Sequence, residues 1–104
     1  MVRTSTAMSA EKQAWLAAFE EHFWMMYRPL RAGLPNPKGR ALNAWLKVVN
    51  PTQEVFDQVI AELDFCIKAW RAEGTEPQYV PHAATWLNAR IVRGRFVPQE
   101  WEMQ

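Results

Sequence analysis

The residues best equipped for chemistry in this 104-residue chain lie near its end, in the string Tyr79-Val80-Pro81-His82-Ala83-Ala84-Thr85-Trp86-Leu87-Asn88. A histidine, a hydroxyl and an amide follow one another at helical spacing behind a proline, which is the equipment of proton transfer or ligand contact. Each residue also has a plainer use. His82, just after Pro81, stands at the cap or first turn of a short helix, where its ring bonds a free backbone group. Thr85 bonds back to the preceding turn, as threonine does within helices. Trp86 pins the helix to a core. Tyr79, Pro81, His82, Thr85 and Trp86 therefore read as a structural clasp. Asn88 is required by neither capping nor packing, since asparagine is an indifferent helix former. With Arg90 it is the leading candidate in this stretch for contact outside the chain.

Other catalytic sets are weak. His22 follows Glu20-Glu21, but neighbouring residues of a helix point in different directions and make no metal face. His22, His82 and Cys66 lack the spacing of a zinc motif. Cys66 is the only cysteine, so no intramolecular disulfide can form. Gly33 and Gly39 lack the Lys-Ser/Thr ending of a phosphate-binding loop. A Ser/His/Asp set would have to use Ser5 or Ser9, close to residues 1–8, which are expected to fray. The reading is a protein that is not an enzyme and uses no metal or cofactor.

Charge points to binding instead. The net charge is only +1, yet Arg28, Arg31, Lys38, Arg40 and Lys47 occur without an intervening acid, and Arg90, Arg93 and Arg95 repeat the pattern. Acids concentrate at Glu20-Glu21 and at Glu54, Asp57, Glu62 and Asp64. A basic side next to aromatic residues suits phosphate contact and base stacking, whereas the acidic residues read as a solvated helix face.

Helices must position these groups. Ser9 is a plausible N-cap with Glu11 in the first turn, and Trp15, Leu16, Phe19, Phe23, Met26 and Tyr27 recur at three- and four-residue steps along one face. Pro29 and Gly33-Leu34-Pro35 end that helix. Asn36-Pro37 reads as N-cap and first turn of a second helix carrying Leu42, Trp45 and Val48 or Val49 inward. Asn50-Pro51 stops it, and Thr52 or Asn50-Pro51 opens a third helix striped with Val55, Phe56, Val59, Ile60, Leu63, Ile67 and Trp70. Gly74 is its C-cap. A turn through Glu76-Pro77-Gln78 leads to a strand-like Tyr79-Val80 and a short helix from about His82 to Arg90. Arg93-Gly94-Arg95 reads as a loop, with Phe96-Val97-Pro98 and Trp101 as an extended, docked tail. The expected fold is all-α: one domain over residues 1–104, a compact bundle of three main helices plus a short C-terminal one. Hydrophobic residues at 49% and charged residues at 22% fit a folded soluble chain. No apolar run suits a signal peptide or a membrane span, so a cytoplasmic location without membrane contact is expected.

Phe19-x-x-x-Phe23-Trp24-x-x-Tyr27, Ala41-x-x-Ala44-Trp45-x-Lys47 and Tyr79-Val80-Pro81-His82-x-Ala84-Thr85-Trp86-Leu87-Asn88 follow in an order and spacing that resembles the C-terminal domain of phage replication-initiation (replisome organiser) proteins, related to DnaT-like primosomal helicase loaders. The likeness covers about residues 19 to 90 and leaves 91–104 divergent. Ala83 stands where the family usually has a second proline, the loop after the first helix is longer, and the family's DNA-binding domain is missing. The resemblance implies a replication accessory domain that engages single-stranded DNA, the replicative helicase or both in a bacterial host cell. Arg31, Lys38 and Arg40 would meet phosphates, and Asn88, Arg90 and Arg93 nucleic acid or an acidic partner. The rival expectation is a phage-encoded inhibitor of a host factor, either a defence nuclease complex or the host helicase. It would present the acidic third helix as a nucleic-acid mimic, or Phe96 and Trp101 as an apolar anchor.

Overall fold

Four-residue spacing of aromatic side chains governs the first third of the chain. In a computed structural model, which describes residues 10–99, α1 spans Ala10–Ala18 and α2 spans Trp24–Tyr27. A single π turn, Phe19–Phe23, joins them, with the Trp24 N–H bonded to the Phe19 carbonyl. Steps of four advance about 400° around an α-helix, so each aromatic drifts about 40° off the buried face. The wider π turn takes up part of that drift. Trp15, Phe19, Phe23 and Tyr27 are consequently all buried. A 3₁₀ turn over Arg28–Arg31, with Pro29 in its first positions, ends the rod.

Three further helices follow: α3 (Lys38–Trp45), α4 (Gln53–Glu73) and α5 (Ala83–Arg90). The all-α expectation holds, with one addition. Arg93-Gly94-Arg95, expected as a loop, and Phe96, expected to start an extended tail, belong to an antiparallel hairpin of β1 (Ile91–Val92) and β2 (Arg95–Phe96), pairing Ile91 with Phe96 and Val92 with Arg95. Tyr79-Val80 is not strand-like either, since Pro77–Tyr79 forms a 3₁₀ turn. At α4 both ends form as expected: Thr52 accepts from the Val55 N–H at 3.2 Å, and Gly74 closes the helix at φ 67°.

The other caps are exchanged. Pro37, not Asn36, precedes α3, and Asn36 Oδ1 instead accepts from the Ala83 N–H at 2.9 Å, capping α5 from 47 residues away. His82 occupies the capping position of α5 but contributes no side-chain bond there. A side chain supplied from the preceding loop serves the free N–H and leaves the imidazole to face outward. The expected Ser9 cap and the docked Trp101 lie outside the described residues.

Aromatic contacts join the helices into one core. Trp15 and Trp45 stack with centroids 4.1 Å apart, and each indole N–H donates to the other residue's carbonyl, at 2.8 and 2.7 Å. Phe23 lies 5.1 Å from Trp45 and 5.8 Å from Trp86, and Trp86 lies 6.1 Å from Phe96. Separations of this size are those at which aromatic pairs add to simple burial. Val48 turns inward while Val49 is 60% exposed, which resolves the alternative left by the spacing.

Charge also enters the core. Glu62 shares the buried stripe of α4 with Val59, Leu63 and Cys66, so it is enclosed rather than part of a solvated acidic face. Its Oε2 accepts from Arg90 Nε at 2.8 Å and from the Gln99 N–H at 2.9 Å. Arg90, expected at the surface, is buried: it donates to the Trp86 carbonyl at 3.2 Å and lies 4.3 Å over the Trp86 ring. A buried pair adds little against an apolar replacement, but losing one member leaves an uncompensated charge. Glu62→Ala should therefore lower unfolding free energy by about 3–5 kcal/mol in urea titration. Replacing both residues by methionine should recover most of the loss.

Tyr27 donates from its hydroxyl to the Pro81 carbonyl at 2.6 Å. Burial raises its pKa above the ordinary value near 10, and nearby Cys66 adds to the rise while Arg90 and Arg31 oppose it. The unfolded chain therefore ionises this phenol first, and folding holds the proton longer. Stability from this group is intact below about pH 10 and falls above it, by up to about 1.4 kcal/mol per pH unit. Tyr27→Phe should lose about 1 kcal/mol at neutral pH and show a shallower alkaline decline, measured by denaturation from pH 8 to about 11.

Candidate nucleic-acid-binding groove

Small side chains bring α3 and α5 together. Ala41 and Ala44 on one helix and Ala83 and Ala84 on the other are all buried. Over this alanine seam, larger polar residues recur on each helix at three- and four-residue steps, which keeps each set on one face. Arg40 and Asn43 rise from α3 and Lys47 from the turn just after it; His82, Thr85 and Asn88 rise along α5 and its cap. With Ala44 and Ala84 they line a groove of about 300 Å³ that no carboxylate enters. Lys47 Nζ donates across it to Asn88 Oδ1 at 3.0 Å.

The hairpin extends this surface. Arg93 and Gly94 have φ of 54° and 79°, the left-handed pair that a two-residue type I′ loop uses. The Gly94 carbonyl accepts from the Val49 N–H at 2.9 Å. A Cβ on Gly94 would lie 2.7 Å from Val49 Cγ1 and 3.3 Å from the Lys47 carbonyl oxygen, so the turn docks against the chain that follows α3. Arg93 and Arg95, both exposed, flank that docked glycine. Two basic segments more than forty residues apart in sequence become neighbours.

Of the nine residues expected to bind, Arg40, Lys47 and Asn88 line the groove, while Arg93 and Arg95 are exposed on the hairpin whose turn docks beside Lys47. The other four are placed elsewhere. Arg31 is buried and donates to the carbonyls of Pro35 (2.9 Å), Pro77 (3.3 Å) and Val80, so it braces loops rather than meeting phosphate. Arg90 is committed to Glu62. Lys38 pairs with Glu20 at 2.7 Å and lies over Trp24. Arg28 is exposed at the start of its 3₁₀ turn and does not line the groove.

The clasp also changes. Trp86 packs in the core as expected, and Pro81 supplies the carbonyl held by Tyr27. His82 and Thr85 line the groove, and Tyr79 is 72% exposed, so these three do not form a packed unit. Asn43 was not singled out from the sequence. Its signal was there: Arg40, Asn43 and Lys47 follow the i, i+3, i+7 rhythm of a helix face, and neither residues 22–53 nor residues 77–99 contain an acid.

Among the described residues no three His, Cys, Asp or Glu side chains gather as metal ligands, and no helix is long and apolar enough to cross a membrane. Compared with family models, curated proteins and solved structures, the chain matches none.

Depth divides the arginines into two kinds. Arg31→Ala should cost about 3 kcal/mol in urea denaturation, because it takes a charged donor from the buried Val80 carbonyl and unties the loops at Pro35 and Pro77. Arg40→Ala should stay within about 0.5 kcal/mol of the parent protein.

Proposed function

We propose that this chain is a non-enzymatic accessory domain of phage-type DNA replication that binds single-stranded DNA through the groove between α3 and α5. The observation that carries this reading is a groove of a nearly neutral protein that Arg40 and Lys47 line and no carboxylate enters, with the turn between Arg93 and Arg95 docked beside Lys47. Cations so grouped neutralise phosphates and release counterions on binding. Asn43, Thr85, Asn88 and His82 add hydrogen-bonding groups that fit phosphate and sugar oxygens and fix register. The sequence likeness to replication-initiation domains supplies the biological setting, and a cytoplasmic location follows from it.

A protein partner, whether the replicative helicase or a host defence complex, is the second reading. It is favoured by a mainly apolar groove lined by Glu21, His22, Met25, Met26, Phe56 and Ile60, in which Met25 is 54% exposed. Two features expected of an inhibitor have moved inside: Glu62 leaves the acidic face of α4, and Phe96, in β2, is buried against Trp86.

Fluorescence anisotropy with a labelled oligothymidine between about 50 and 200 mM salt tests the first reading. The expected slope of log affinity on log salt is about −2 to −3, at about −0.7 per phosphate neutralised on a single strand. Arg40→Ala and Lys47→Ala should each flatten it by about 0.7. Absence of binding at the low-salt end, or a flat response, rejects DNA as the ligand and leaves the protein partner standing.

A further inference from the structure

Tyr79 is the most exposed of the large hydrophobic side chains among the described residues, at 72%. A ring left in water forgoes the free energy that burial would give, and nothing in the fold uses it. The backbone that carries it is nevertheless held firmly. Arg31 donates to the carbonyls of Pro77 and Val80, the Tyr27 hydroxyl donates to that of Pro81, and Asn36 accepts from the Ala83 N–H. The 3₁₀ turn closes with the Tyr79 N–H on the Glu76 carbonyl at 2.8 Å. Side chains from three earlier positions thus hold the chain on both sides of an outward-facing ring.

Its neighbours face elsewhere. Gln78 bonds Glu76 at 2.9 Å, and both line a separate depression with Ala32, Leu34 and Pro77 that Tyr79 does not enter. Three residues further on, His82 lines the basic groove, so at most about 10 Å of chain separates Tyr79 from its edge.

We propose that Tyr79 is a stacking platform for one base of a strand lying in the α3–α5 groove, and that the ligand is therefore single-stranded, because the paired bases of a duplex present no free face. The inference rests on the groove's being a DNA site. An aromatic face on a braced turn stacks any base with little ordering cost. The phosphates on the groove side meet Arg40 and Lys47.

The test compares the parent protein with Tyr79→Ala and Tyr79→Trp in the same anisotropy titration. Tyr79→Ala should weaken oligothymidine binding by about 5- to 150-fold and leave the salt slope unchanged, since no charge is removed. Tyr79→Trp should bind at least as well as the parent. Stepping a single abasic site along the oligonucleotide should find one position where the parent loses comparable affinity and Tyr79→Ala loses no more. Because the side chain is exposed, the alanine variant should melt with the parent, which separates lost binding from lost fold. Parent-like affinity of Tyr79→Ala, alongside salt-dependent binding by the parent, overturns the stacking role alone. Equal affinity of the parent for duplex and single strand also overturns it. Failure of the parent to bind DNA at all rejects the groove as a DNA site and the stacking role with it.

Discussion

One buried guanidinium sets the geometry on which the candidate site depends. Arg31 leaves the end of the first helical rod and reaches carbonyls in two separate loops, at Pro35 before α3 and at Pro77 and Val80 before α5. Those loops decide where the two helices begin. A planar group with donors in a fixed fork suits this task, because it holds several acceptors in one arrangement. Asn36, in the loop before α3, completes the junction by capping α5. The groove thus depends on how two loops are tied to the end of the first rod, as well as on the alanine seam between its walls.

The same chemistry serves opposite ends according to depth. Arg31 and Arg90 are as basic by sequence as Arg40 and Arg93, yet the first two bond carbonyls and a carboxylate within the protein while the latter two remain in water. Acid-free spacing identified the segments but not which members of each would be consumed by folding. That distinction requires knowing which faces of α4 and α5 meet. Glu62 and Arg90 find each other across 28 residues, and neither has a sequence neighbour that announces it.

What was legible in the sequence follows from local rules. Helical periodicity, the Thr52 cap and the Gly74 stop depend on residues within a turn of one another, and they stand where spacing placed them. The all-α class came from the same source. The features that were not legible depend on partners far along the chain: the cap that Asn36 gives to Ala83, the hairpin whose Gly94 docks on Val49, and the exposure of Tyr79. Tyr79 looked like part of a packed clasp because it precedes Pro81 and Trp86. Its turn instead directs the ring outward, and proximity in sequence misled where bracing from Arg31 decided.

The paired indoles of Trp15 and Trp45 carry a consequence for how substitutions combine. Each residue serves as ring, donor and acceptor for the other, so the two positions form a single inherited character with two addresses. A change at either one leaves a stacking face and a carbonyl without their counterpart, and no third residue is positioned to inherit the role. Substituting one indole therefore acts at both positions, and the effects of changing Trp15 and Trp45 do not simply add.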